Sequence, residues 1–204
     1  MANQVHIQKT RDTIQGLLAL LDRRVGRTEL VKLVYLSDSR FFESAGRTIT
    51  GITYMWDHYG PNAVGHATAN EADHLVNEGS VRIEVRPSMY SGHAYDYWVE
   101  NPSEVWRSVE SSLDPGECQI LMDTAREFGR LSLDALIDQS KKTSAFVNAN
   151  QYQVLMLQQN ERMKNIEDTS PASGEFLEEV ELGFEDADGG RWVRDEDLDV
   201  FTKS

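Results

Sequence analysis

Three histidines, His58, His66 and His74, lie close together in the chain, and a cluster of that kind is the first place to look for metal or proton chemistry. A zinc site needs three or four converging ligands. On one helix His66 and His74 would point about 80° apart. The position one turn after His66 is Asn70, so the pair does not converge. The single cysteine, Cys118, sits in an apolar stripe with Leu121 and Met122 and reads as a core residue. With one cysteine, neither an internal disulfide nor a multi-cysteine metal cage can form. Asp186-x-Asp188 opens like a calcium loop, but Gly190 and Arg191 stand where a ligand and the turn glycine are required. No phosphate-cradling glycine loop and no Gly-x-Ser-x-Gly elbow occurs. The expectation is therefore no catalytic residue, no cofactor and no metal.

The elements follow from periodicity. Ile14, Leu17, Leu18 and Leu21 recur at helical spacing, with Gly26 as the stop. Thr28 is the expected N-cap of a second helix. Leu30, Leu33, Val34 and Phe41 share one face of it, with Lys32, Tyr35 and Leu36 off that face, and Gly46 ends it. Residues 49–58 read as a strand, rich in Ile, Thr, Tyr and Trp. His58-Tyr59-Gly60-Pro61 follows. Gly60 suits a positive φ, and Pro61 suits the first position of a helix reaching Asn77. Val81, Ile83 and Val85 alternate with charges, and Tyr95, Tyr97 and Val99 alternate after a loop, which predicts an antiparallel pair.

The second half reads as helices. One is around Val105, Trp106 and Val109. Another starts at Asp114-Pro115-Gly116-Glu117, where Glu117 provides a capping-box carboxylate. A third is capped by Ser132, with Leu133, Leu136 and Ile137 inward. A last one is predicted from Asn150 to about Asn165. The fold class expected is α+β: a mainly helical domain with a small antiparallel sheet, plus an acidic C-terminal extension. Residues 1–166 form the body and 167–204 the extension, with Thr169 to Gly174 a linker by composition.

The chain has 204 residues, 40% of them hydrophobic, which is enough for a core. No apolar run is long enough to span a bilayer, and residues 1–11 are too polar for a signal peptide, so the cytoplasm is the expected compartment. The net charge is −14, and the extension carries 13 acidic against 3 basic residues. An acidic surface repels phosphate backbones, which argues against direct nucleic-acid binding and for a partner protein with a basic surface. The acids are interleaved with Phe176, Leu177, Val180, Phe184 and Trp192. These are the anchors expected to bind a partner.

One segment carries more. Lys32-Leu33-Val34-Tyr35-Leu36-Ser37-Asp38 leads to Gly46-Arg47-Thr48 and then to Trp56-Asp57-His58-Tyr59-Gly60-Pro61. This resembles the Panacea domain, the SocA-like antitoxin family, over about residues 13–148. Gly129-Arg130-Leu131-Ser132 with Leu136 resembles a later helix start of that family. Thr48 stands where the family commonly has proline, and His58 where it has arginine or lysine. Lys142-Thr143-Ser144-Ala145-Phe146 replaces a further family stretch. The resemblance implies an antitoxin of a toxin–antitoxin system, often carried on prophages, that neutralises a cognate toxin by direct binding. It implies no enzymatic activity. Lys32, Leu33, Tyr35, Leu36, Asp38, Tyr59, Gly60 and Pro61 would be structural motif residues. Two alternatives stand beside it: a proteolytic adaptor that hands the toxin to a cytoplasmic protease, and a metal-dependent enzyme using the region of His58, His66 and His74.

Overall fold

A computed structural model describes residues 6–88 and 92–157. Helix α1 (Ile7–Leu21) stops earlier than Gly26, because Asp22 takes the left-handed conformation, with φ 47°. That frees Val25–Gly26 to form a short strand, β1, which pairs with the later strand at Tyr97 and Asp96. Helix α2 (Arg27–Ala45) starts directly from it. Gly26, not Thr28, is its N-cap, and the Glu29 carboxylate accepts the Gly26 N–H at 3.4 Å. Gly46 closes α2 with φ 68°.

The one-faced reading of α2 fails. Lys32, Tyr35, Leu36, Ser37 and Asp38 are buried together with Leu30, Leu33, Val34 and Phe41. The helix is the hub of the molecule, packed by α3, α5, α6 and the strands. A helix enclosed on all sides buries its polar residues too, provided each finds a partner.

Residues 49–58 contribute only one short strand, β2 (Tyr54–Met55). The remainder is drawn out of strand geometry by Gly51, at φ 72°, and by backbone hydrogen bonds to Asp38. Pro61 does not begin a helix. Strand β3 (Asn62–Ala63) follows it and pairs antiparallel with β2. After a single 3-10 turn, α3 (Ala67–Asn77) begins. The predicted antiparallel pair is present as β4 (Arg82–Ser88) and β5 (Gly92–Trp98), with Ile83 opposite Tyr97 and Val85 opposite Tyr95. The larger sheet has the order β1-β5-β4.

Helices α4 (Pro102–Ser112), α5 (Pro115–Phe128) and α6 (Leu133–Ser140) match the helical second half. In α5 the Glu117 carboxylate accepts the Asp114 N–H at 3.1 Å. In α6 the Ser132 hydroxyl accepts the Ala135 N–H, Leu136 is buried, and Leu133 is exposed rather than inward. Helix α1 lies against α3, α4 and α5, and its Ile14, Leu17 and Leu18 are fully buried. The predicted last helix is absent through Leu157. A short α7 (Ser144–Val147) precedes it, and residues 153–155 run beside β2 instead. Tyr152 is left-handed at φ 60°, which ends any helix there. Residues 158–165 of that prediction lie outside the described residues.

Candidate functional site

The motif residues of α2 converge on one buried seam. Asp38 sits at its centre with no exposed surface. Its Oδ1 accepts the backbone N–H groups of Ile49 at 2.8 Å and Thr50 at 3.0 Å. Its Oδ2 accepts the Tyr54 hydroxyl at 2.7 Å and the Thr50 hydroxyl. Burial pushes the Asp38 carboxyl above its ordinary pKa, and these four donors oppose that shift. Tyr54 in turn lies edge-on to Tyr35, ring centroids 5.0 Å apart. The Tyr35 hydroxyl shares a hydrogen bond with Thr143, the N-cap residue of α7. Burial pushes the Tyr35 phenol up to about 12.

One turn away, the Lys32 ammonium donates to the Pro61 carbonyl at 2.7 Å. The side chain is 3% exposed, and burial pushes its pKa down to about 8. Asp57 opposes that shift and Lys141 adds to it. Gly60 lies between Lys32 and α6 with φ 86°, as expected for the Tyr-Gly-Pro turn. A Cβ there would come within 2.7 Å of the Ser140 hydroxyl oxygen. Only glycine therefore fits both the conformation and the space.

Lysine, tyrosine and aspartate are the side chains of acid–base catalysis. Here each is committed to an internal partner and shielded from solvent. Lys32 ties α2 to the Gly60 turn, Tyr35 ties it to α7, and Asp38 ties it to residues 49–54. Leu33 and Leu36 complete the packing around them, while Tyr59 is exposed at the turn.

The three histidines do not come together. His58 is exposed, its Nε2 2.9 Å from the Gln151 side-chain nitrogen, with its ring edge-on to Trp56 and Tyr152. His66 is the residue before α3, and His74 is exposed near its end. Among the described residues no three His, Cys, Asp or Glu side chains form a group able to hold a metal ion. Cys118 is buried, and burial raises its thiol pKa, away from a nucleophile. Among the described residues no helix is long and apolar enough to cross a membrane.

Three charged clusters were not anticipated. Glu117 is fully buried and accepts from Lys9 at 2.6 Å and Arg47 at 2.9 Å. Arg27 holds both oxygens of Asp73 at 2.9 Å and stacks over Tyr95, and Tyr97 donates to the same Asp73. Arg86 pairs with Asp96 across β4 and β5. The partners in the first two clusters lie far apart in sequence, so no local pattern announces them. The aromatic pile of Phe146 stacked on Trp56, ring centroids 5.2 Å apart, was also missed. The only signal for it was the aromatic character of Trp56 and of the segment Lys142 to Phe146. Phe176, Leu177, Val180, Phe184 and Trp192 lie outside the described residues.

No curated protein and no solved structure matches the chain. Residues 30–146, more than half of it, match one family, "Antitoxin SocA-like, Panacea domain". The match starts in α2, ends in α7, and contains every partner of the Lys32–Tyr35–Asp38 seam. The chain belongs to the SocA-like antitoxin family, and its Panacea domain is the part of the fold built around α2.

Proposed function

We propose that this protein is an antitoxin that neutralises a cognate protein toxin by binding it directly, without chemistry of its own. The observation that carries the reading is the family match together with the seam it encloses. The residues with catalytic character hold α2, the Gly60 turn and α7 in place, which leaves the surface for recognition. Residues 1–166 are the body of the protein, and 167–204 are an acidic extension that adds to the contact. Phe176, Leu177, Val180, Phe184 and Trp192 supply apolar anchors, and the surrounding carboxylates steer a basic toxin surface into place. The test is growth. Expressed alone, the product of the adjacent gene arrests growth, and co-expression of this chain restores it. Co-expression that leaves the arrest untouched sinks the reading.

A further inference from the structure

Strand β4 is the last strand of the larger sheet, and among the described residues nothing pairs with its outer side. Pro87 fixes which groups face that side. It lies opposite His93 and has no N–H to give to the ladder, so this pair is a non-hydrogen-bonded one. By the alternation of an antiparallel pair, Val85 and Ile83 hold positions of the same kind, and their N–H and C=O groups point away from β5. The hairpin also runs past its support. β1 meets β5 only at Asp96 and Tyr97, so from Val85 to Ser88 the sheet is two strands wide. Val85, Arg86, Pro87, Gly92 and His93 are exposed there, Val85 by 51%. A two-stranded ribbon is marginal in water, and an edge of unpaired amides with an exposed apolar residue is a template for one more strand.

We propose that the added strand is β4 of a second copy of this chain, antiparallel about a two-fold axis at Val85. The edge is self-complementary in that register. Val85 and its copy exchange a pair of hydrogen bonds, and each Ile83 N–H donates to the Pro87 carbonyl of the other copy. Only the Ile83 carbonyl goes without, because Pro87 has no N–H. Ile83, Val85 and Pro87 of both copies line up as one apolar row. On the other face each Glu84 meets Arg86 of the second copy, so opposite charges face each other at the close, non-hydrogen-bonded positions. The neighbouring registers fail. An axis at Glu84 sets carboxylate against carboxylate, and an axis at Arg86 sets guanidinium against guanidinium. An axis at Pro87 brings together residues without N–H groups. An axis at Ile83 lays Val85 against Val81, which is buried before the strand starts. Pro87 ends the ladder and the charges fix its register, so the edge admits one short pairing rather than open-ended stacking. The inference concerns the free protein and holds whether or not its partner is a toxin.

The test is sedimentation equilibrium on the full chain over a range of concentrations. The wild type should pass from monomer to dimer and stop there. Glu84→Arg sets arginine opposite Arg86, and Arg86→Glu sets glutamate opposite Glu84, so each variant alone should self-associate about tenfold or more weakly. Mixed one to one, the two variants should form a heterodimer tighter than either homodimer, because every facing pair again joins opposite charges. A second probe leaves these charges alone. Directly opposed residues of such a pair lie about 5.5 Å apart at Cα, within reach of a disulfide. Val85→Cys should therefore oxidise to a covalent dimer, and the only native cysteine, Cys118, is buried. Four outcomes overturn the proposal: a wild type that is monomeric at every concentration, single variants that dimerise as well as wild type, a mixture that stays monomeric, or a Val85→Cys chain that does not cross-link. A monomeric wild type whose Val85 amide gains exchange protection only when the toxin is added overturns it too, and gives the edge to that partner.

Discussion

Asp38 is the residue on which the α2 seam turns. A carboxylate there accepts four hydrogen bonds, whereas an amide accepts fewer and brings two donors of its own. Asp38→Asn should therefore cost about 3 kcal/mol, from buried donors left without acceptors. A denaturant midpoint and slope equal to wild type would contradict this. Gly60 gives a second prediction. Gly60→Ala meets both an unfavourable φ and the Ser140 hydroxyl, and should destabilise by about 1 kcal/mol or more. Removing that hydroxyl in the same chain, with Ser140→Ala, should recover the steric part and leave the backbone part. A double-mutant cycle with no coupling would show that the two residues do not collide. Lys32 gives a pH signature. Its folded pKa, about 8, lies below the ordinary 10.5, so between those values the unfolded chain binds more protons. Stability contributed through Lys32 therefore rises with pH across that window. Melting curves of wild type and Lys32→Met between pH 8 and 10 should diverge, with the wild type gaining on the variant. Parallel curves would mean that the ammonium is not desolvated.

At the scale of elements, what could be read from sequence was what local chemistry controls. Glycine stops at Gly46, the capping carboxylate Glu117, the Ser132 cap and the β4–β5 alternation all lie within a few residues of their effects. What could not be read was set from a distance. Residues 49–58 have strand composition, yet Asp38 takes the amides of Ile49 and Thr50 that a ladder would use. The helix predicted from Asn150 has helical periodicity, but Tyr152 turns left-handed and the Leu155 N–H bonds to the Tyr54 carbonyl of β2 instead of to a helical partner. The all-round burial of α2 follows from seven neighbouring elements, α1, α3, α5, α6, β1, β3 and β5, which no window of sequence contains. Of the motif residues, the types and spacing were visible, but their partners Thr143, Pro61 and Thr50 were not. The Tyr35–Thr143 bond yields an element-scale prediction. Thr143→Val removes the partner of a buried phenol and the hydroxyl at the start of α7, and should cost about 1–3 kcal/mol. Exchange protection should fall first at α7. Loss spread evenly over the whole fold would contradict the idea that this bond ties one short helix to α2.

For the whole molecule, the proposed function rests on charge and surface. If the acidic extension steers the toxin as proposed, added salt should slow binding as screening shortens to ~8 Å at physiological ionic strength. Replacing Phe176, Phe184 and Trp192 together by alanine should raise the dissociation rate far more than removing any three carboxylates. Equal effects would make the extension a solvating appendage. The central claim, neutralisation by binding alone, has a more direct test. The toxic product of the adjacent gene would be purified, its activity assayed, and the full-length protein titrated in with no protease present. The account predicts that activity falls to background at a one-to-one ratio and that the two proteins migrate as one complex. Activity unchanged by excess protein, in a pair where co-expression still restores growth, would contradict it and assign the rescue to proteolytic delivery.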